Sequence, residues 1–191
     1  EEEVYAAIGL AWIPPELRED RGEVEAASKW TLPRLVSLGD LRGDLHCHTV
    51  FSDGEVWPTV RVDEAWREGL DVISITDHIE YQPHKDDVPT KHNRSYEIAL
   101  PRARELGILL IRGAEITRDT PPGHFNAIFL EDVTPLDTKE LLDAMEAASK
   151  QGAFIWWNHP NWKPDKKGWL DVHTELYDRK YMRGIEVVNG L

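Results

Sequence analysis

Asp44-Leu45-His46-Cys47 begins a series of short apolar runs that alternate with segments of helical pattern. A helical pattern follows over residues 60–68, and residues 71–76 (Asp-Val-Ile-Ser-Ile-Thr) form the next apolar run. Such alternation is typical of βα units, in which helices connect parallel strands. The sequence therefore predicts an α/β fold from Leu41 onward.

The same alternation continues along the rest of the chain. Further helices are predicted at residues 96–106, 139–150 and 175–181, and further strands at 108–112, 125–130 and 153–157, with a last β-rich run at 184–189. Gly69, Gly107 and Gly152 each close a helical stretch, as C-cap glycines do. About six strands follow one another before the chain stops, which predicts a βα barrel that is distorted or incomplete.

Residues 1–40 differ from the rest in composition. They are rich in proline and charge, as in Trp12-Ile13-Pro14-Pro15-Glu16, and show no sustained apolar period. We interpret them as a linker or lead-in segment, and residues 41–191 as a single domain.

Charge and composition narrow the function. The 191 residues include 35 acidic and 22 basic side chains, for a net charge of −13, which disfavours binding nucleic acid mainly through phosphate neutralisation. A phosphate-bearing substrate would need a local positive charge, which bound divalent cations supply.

Cys47 is the single cysteine, so no internal disulfide is expected. No apolar run is long enough for a membrane span and Glu1-Glu2-Glu3 does not resemble a signal peptide, so we expect a cytoplasmic protein without a membrane partner.

Polar residues of metal-ligand type recur at the ends of the predicted strands. His46 and His48 are two apart and would face the same side of the first strand. Asp77-His78, Glu115 and His159 follow the second, third and fifth strands. In a parallel barrel those strand ends meet at one mouth, so residues far apart in sequence would form one cluster.

His124 precedes its apolar run and would lie at the wrong end of a parallel strand. A hairpin at Asp119-Thr120-Pro121-Pro122-Gly123 would return the chain antiparallel and place His124 beside Glu115. Asp53 lies in the loop after the first strand, although an ordinary turn aspartate before Gly54 would look the same. The predicted metal ligands are His46, His48, Asp53, His78, Glu115, His124 and His159.

Mixed imidazole and carboxylate ligands suit Zn, Mn or Fe better than Mg, and we expect two or three divalent metal ions. Glu115 is the natural bridging ligand between cations about 3.5 to 4 Å apart. We assign catalytic roles to Glu115, His78 and Asp77, with Asp77 orienting a histidine through a hydrogen bond.

Four side chains in loops near the predicted mouth are candidates for substrate binding: Lys91, His92, Arg94 and Arg118. The simpler expectation for loop cations is that they are solvated. His84, His92 and His173 have no strand-end placement, so surface positions are expected for them.

The chain resembles the polymerase and histidinol phosphatase (PHP) family over residues 41–191. The resemblance lies in four motifs that occur in the order of the family: His46-Cys47-His48, Thr76-Asp77-His78, Gly113-Ala114-Glu115 and His159-Pro160. The resemblance implies a distorted (βα)7 barrel that holds up to three metals and hydrolyses phosphomonoesters or phosphodiesters. It also implies how the ligands are shared: His46, His48 and Glu115 for the first metal; Glu115, His124 and His159 for the second; Asp53 and His78 for the third.

The family pattern ends with an Asp-x-His pair on the last strand, and no such pair follows Asn189. By resemblance, the chain is therefore expected to be truncated at its C-terminus. The His-x-His start is also similar to amidohydrolases, many of which bridge their metals with a modified lysine, and Glu115 at the bridging position favours PHP.

Two groups within the family are similar to different parts of the chain. Residues 1 to about 45 resemble the linker entering the PHP domain of bacterial X-family DNA polymerases, whereas Asp77-His78-Ile79-Glu80-Tyr81 and Gly123-His124-Phe125-Asn126 resemble free-standing phosphodiesterases. We therefore expect hydrolysis of a phosphoester substrate, above all a phosphodiester, by a metal-bridged hydroxide. The alternatives are a 3′–5′ exonuclease domain acting on nucleic acid and an inactive scaffold module.

Overall fold

The computed structural model describes residues 1–88, 91–119, 121–160, 162, 168–187 and 189. The chain divides into two compact units, Glu1–Leu41 and Arg42–Leu191. That division lies one residue from the predicted boundary, and the assignment of residues 1–40 as a linker stays a prediction. None of the helices in the described residues is long and apolar enough to span a membrane.

The first unit contains two short helices, α1 (Glu2–Ala7) and α2 (Glu23–Ser28), with 3-10 turns at Pro15–Leu17 and Leu38–Asp40. Ser37 begins the second turn, where its hydroxyl and main-chain N–H both donate to the Asp40 carboxylate. The sequence pattern did not predict α1 and α2 because each has six residues, far below the roughly 11–18 residues over which periodicity is measurable.

The second unit is built on a curled sheet whose spatial order follows the sequence. Its six described strands are β1 (Gly43–Cys47), β2 (Val72–Ile75), β3 (Leu109–Ile116), β4 (Phe125–Ile128), β5 (Phe154–Trp157) and β6 (Gly184–Ile185). Strands β1, β2 and β3 are parallel, β4 runs antiparallel to both β3 and β5, and β6 is parallel to β5. This confirms the predicted α/β class, and the seven-strand count remains a prediction.

Four helices join these strands: α3 (Pro58–Arg67), α4 (Arg94–Leu106), α5 (Leu141–Lys150) and α6 (Asp171–Asp178). Gly69, Gly107 and Gly152 have φ values of 73°, 73° and 79°, the left-handed conformation of a helix C-cap. The predicted ends of α3, α4 and α5 are therefore confirmed.

Two apolar clusters fill the space between the sheet and its helices. In the first, Val62 and Ala65 of α3 and Ala99 and Ala103 of α4 pack with Ile73 and Ile75 of β2. The second lies under the antiparallel part of the sheet and includes Ile116, Phe125, Met145, Ile155 and Leu176. Each half of the sheet thus has its own core, which fixes the strand ends that carry the polar residues.

Three predicted boundaries were wrong by four residues. Strand β3 continues to Ile116, past the predicted end at residue 112, because its continuation pairs with β4. Helix α6 begins at Asp171 rather than at residue 175, and β6 covers only two residues of the run predicted at 184–189. The predicted hairpin is present as the β3–β4 pair, although Thr120 of its turn and Val188 of the last run lie outside the described residues.

Candidate metal centre

Glu115 lies at the centre of the polar cluster and is fully buried within β3. One carboxylate oxygen is 3.0 Å from Nε2 of His46 and 3.1 Å from Nε2 of His48. The other is 2.9 Å from Nδ1 of His124 and 3.3 Å from Nε2 of His159. The two oxygens thus face two different pairs of histidines, as expected of a ligand that bridges two cations.

Five imidazoles form a closed circle around this carboxylate. In the order His46, His48, His78, His124, His159 and back to His46, neighbouring ring centroids are 5.2, 4.6, 5.5, 5.0 and 5.9 Å apart. Nδ1 of His78 is 3.7 Å from Glu115, which completes the circle. The structure therefore brings together residues that are spread over more than one hundred positions of the sequence.

The strands determine where these histidines lie. His46 belongs to β1 and His48 follows it, while Cys47 between them is buried on the opposite side, where its thiol contacts the Ser74 carbonyl oxygen at 3.3 Å. After β2 the chain returns to β3, where the Glu115 N–H donates to the Asp77 carbonyl oxygen at 3.1 Å. This bridge places His78 directly beside Glu115.

On the antiparallel side, the Asn158 N–H donates to the His124 carbonyl oxygen at 2.9 Å and extends the β4–β5 pairing by one step. His159 follows with a φ of +29°, a left-handed value that is uncommon for a residue with a side chain. Its main-chain N–H donates to the carboxylate of Glu186 at 2.8 Å. The hydrogen bond holds this turn in the conformation that directs His159 into the circle.

Asp53 approaches the circle from the loop after β1. Its oxygens lie 3.4 Å from Nε2 of His78 and 3.6 Å from Nδ1 of His48. Asp77 was expected to orient a histidine, but its carboxylate instead accepts hydrogen bonds from the Thr49 N–H at 2.7 Å, the Thr49 hydroxyl at 2.8 Å and the Ser52 hydroxyl at 2.9 Å. Asp77 therefore shapes the loop that carries Asp53.

Burial and charge pairing shift the ionisation of the cluster. Burial alone would raise the pKa of the Glu115 carboxyl, but hydrogen bonds with four of the imidazoles hold that pKa far below its ordinary value. Burial lowers the pKa of His46, but Glu115 and Glu186 outweigh this effect and raise it to about 9. Burial raises the pKa of Asp53, whereas the contact with His78 lowers it more, to about 2. The carboxylates are therefore anionic and attract positive charge.

The donor atoms fit divalent cations. Three groups of side chains each offer ligand atoms that all lie within 4.8 Å of one another: His46, Glu115 and His159; His48, Asp53 and His78; His78, Glu115 and His124. Together these groups contain all seven predicted ligands, although they divide the ligands differently from the three sets that the family resemblance implied.

The predicted substrate-binding residues have more varied surroundings. Arg118 lines an open cleft of about 660 Å³ beside His124, and its guanidinium is already paired with the Glu80 carboxylate. Lys91 and His92 line a cavity of about 10 Å³ next to His78. Arg94 lines neither space, since it begins α4 and pairs with Glu97 at 3.2 Å.

The surroundings of two further residues were not anticipated. Glu186, directly after β6, contacts both His46 and the main chain of His159. His78 and His159 were identified as polar residues at the ends of predicted strands. The same criterion could have found Glu186, because it also follows an apolar strand. The expectation that His173 lies at the surface was wrong. Its side chain is fully buried, and its Nε2 atom donates to the Pro122 carbonyl oxygen at 2.9 Å.

Several known proteins are similar to this chain. The chain is 41% identical over 81 residues to the DNA polymerase/3'-5' exonuclease PolX of Bacillus subtilis, covering 42% of this chain and 14% of that protein. It is 39% identical over 74 residues to a 5'-3' exoribonuclease of Haemophilus influenzae, covering 39% of this chain and 23% of that protein. The chain thus spans less than a quarter of either relative.

Among solved structures, a two-domain protein from Bacteroides vulgatus containing a predicted PHP-like metal-dependent phosphoesterase is 59% identical, with a TM-score of 0.76 over 78% of this chain and 45% of that one. A Bifidobacterium adolescentis protein assigned as a metal-dependent phosphoesterase shares the fold at 16% identity, with a TM-score of 0.56 over 76% of each chain. The model of the PHP domain matches residues 44–188, about three quarters of the sequence, which confirms the predicted resemblance. This chain therefore belongs to the PHP domain family.

Proposed function

We propose that this chain is a metal-dependent phosphoesterase that hydrolyses phosphodiesters at the cluster around Glu115. The observation that carries the proposal is the circle of five imidazoles around one fully buried carboxylate. Burying so many polar groups is costly unless they are paired or bind cations. Membership of the PHP family and the similarity to the Bacteroides protein support a metal-dependent hydrolase.

The chain needs a local source of positive charge to hold a phosphoester. Its net charge is −13, and Arg118, the predicted substrate contact that lines the cleft beside His124, is already paired with Glu80. Divalent cations bound here would supply that charge, offset charge on the phosphoryl oxygens and lower the pKa of water towards about 7. The mixed nitrogen and carboxylate donors suit Zn, Mn or Fe.

The residues of the cluster have different proposed roles in binding metal ions. Glu115 offers one oxygen to His46 and His48 and the other to His124 and His159, which makes it the proposed bridge. Asp53 supplies a second carboxylate on the far side of His78. In their neutral forms the imidazoles present nitrogen lone pairs, so binding a cation releases protons from this cluster.

A phosphodiester fits the surroundings better than a monoester because space is available for a second substituent on phosphorus. The open cleft of about 660 Å³ begins at His124 and is lined by Tyr81, Arg118 and Trp162, among others. Tyr81 and Trp162 expose 52% and 54% of their surface, so they offer apolar faces to whatever the second ester carries. Arg118, whose guanidinium also pairs with Glu80, is the proposed contact to the second substituent in this cleft.

A nucleic-acid end is the second candidate substrate. The Bacillus and Haemophilus relatives are named as exonucleases, and a strand end would occupy an open cleft more readily than an enclosed pocket. An inactive scaffold is the weaker alternative, because all seven predicted ligands converge.

The test compares a chromogenic phosphodiester with its matching monoester, using protein reconstituted with Mn²⁺ or Zn²⁺ and then treated with a chelator. We expect chelator-sensitive cleavage that is faster for the diester, and its loss in Glu115→Gln, which keeps the side-chain shape but removes the charge. Glu146→Gln, an exposed exchange on α5, is the matched control. Full turnover by the Glu115→Gln variant would refute the proposed bridge, and a preference for the monoester would refute the substrate class.

A further inference from the structure

Glu186 occupies a fixed position at the edge of the cluster. It follows β6, and its main-chain N–H donates to the Trp157 carbonyl oxygen at 2.8 Å, so the residue is held against the end of β5. Only 11% of its side chain is exposed. Its carboxylate is therefore held in place beside the imidazoles.

Both oxygens of this carboxylate are used. Oε1 lies 2.7 Å from Nδ1 of His46, and Oε2 accepts the main-chain N–H of His159 at 2.8 Å and the Asn189 amide at 3.0 Å. His46 and His159 belong, with Glu115, to the same group of candidate ligands. One side chain thus contacts two of the three members of that group without being a member itself.

The contacts of Glu186 affect the tautomer of His46 and the main-chain conformation of His159. In the neutral form of His46, a carboxylate at Nδ1 favours the tautomer with the proton on that nitrogen. The lone pair is then on Nε2, the nitrogen beside Glu115, where it would be available to a cation. For His159, the hydrogen bond holds the main chain at a φ of +29°, a conformation that persists only when the surrounding structure imposes it. The direction of that ring depends on this main-chain conformation.

We propose that Glu186 is a positioning residue that fixes the tautomer of His46 and the main chain of His159, and so determines cation binding by the group His46, Glu115 and His159. The proposal rests on the metal-dependent function proposed above. It assigns to Glu186 no contact with substrate. The group His48, Asp53 and His78 has no described contact with Glu186, so its cation binding should be independent of this residue.

The test is a titration of the metal-free chain with Co²⁺, followed by visible absorption and by counting bound equivalents after desalting. We expect Glu186→Ala to weaken one class of sites by about 10- to 100-fold and to change its absorption spectrum, as the loss of an outer hydrogen-bond partner does. Glu186→Gln should fall in between, because an amide has one acceptor oxygen where two are used. Asp53→Asn should affect a different class of sites, and Glu175→Gln, at an exposed pair on α6, should change neither.

Thermal unfolding of the metal-free variants separates misfolding from loss of positioning, and the Gln variant remains informative where the Ala variant does not fold. The proposal is overturned if Glu186→Ala, or a folded Glu186→Gln in its place, binds as many Co²⁺ equivalents as the parent with the same affinity and spectrum. Co²⁺ binding that depends on Glu186 in a parent that cleaves no phosphoester would support the positioning role and refute the proposed function. Unchanged Co²⁺ binding by the Glu186 variants, together with turnover by the parent, would refute the positioning role and support the proposed function.

Discussion

Gly54 provides a test of how closely the loop after β1 must fit. A Cβ atom at this position would lie 2.5 Å from the carbonyl carbon and oxygen of His48 and 2.6 Å from the nitrogen of Thr49. All three are main-chain atoms, so no side-chain rotation relieves the contact. The Gly54 N–H also donates to the Thr49 carbonyl oxygen at 3.0 Å, which keeps the loop tight.

The effect of Gly54→Ala can be worked out from these distances. Ordinary contact requires at least 3.4 Å instead of 2.5 Å, so the loop must move by about 0.9 Å. Overpacking of this kind costs about 1–3 kcal/mol, and each kcal/mol lowers Tm by about 2–4 °C in a chain of this size. The same movement exceeds the tolerance of about 0.5 Å for a functional site, and Asp53 is the neighbouring residue.

The assay combines urea unfolding, followed by tryptophan fluorescence, with metal analysis of reconstituted protein after desalting. We expect Gly54→Ala to unfold at lower urea and to bind fewer metal equivalents, because His48, Asp53 and His78 form one of the proposed cation-binding groups. Gly39→Ala is the matched control, because an added Cβ there has no neighbour within 4 Å. A Gly54→Ala protein with the stability and metal content of the control would refute the steric argument.

Three further predictions concern other parts of the second unit. Asp77→Ala leaves the buried side chains of Thr49 and Ser52 without their acceptor and should cost about 1–3 kcal/mol in urea unfolding, with weaker binding of metal. Ile155→Ala should cost about 2–5 kcal/mol in the same assay, since Ile155 is fully buried in the second core, without changing bound metal equivalents. Burial lowers the pKa of His173, so the unfolded chain takes up its proton more readily below the ordinary value of 6.5, and folding stability is lost as the pH falls through that value. Unfolding measured from about pH 8 to about pH 5 should therefore show a steeper acid loss in the parent than in His173→Gln, and equal slopes would contradict this assignment.

Much of the fold was predictable because its signals are local. The strands and helices around His46, His78 and His159 follow the apolar alternation, and the glycine caps mark where α3, α4 and α5 end. The antiparallel return of β4 was predictable from the turn residues before His124. The extension of β3 to Ile116 was not predictable, because its last residues are held in the strand by non-local pairing with β4.

The site shows the same division between local and non-local information. The seven candidate ligands were identified by residue type and strand-end position, which the sequence displays directly. How the ligands are divided among cations was not predictable from the sequence. Which imidazoles face one cation depends on distances across the sheet. Asp77 illustrates the difference: its position beside His78 suggested a bond to an imidazole, but the tertiary fold brings Thr49 and Ser52 closer to its carboxylate.

The central position of Glu115 follows from the topology of the sheet. Strand β3 is parallel to β2 on one side and antiparallel to β4 on the other, so it separates the parallel strands β1 and β2 from the antiparallel strand β4. His46 and His48 come from the parallel side, and His124 and His159 come from the antiparallel side. Glu115, near the end of β3, lies between these two pairs of histidines. A carboxylate there, with one oxygen facing each pair of histidines, therefore suits the proposed role of a bridging ligand, which a side chain with a single donor atom could not fill.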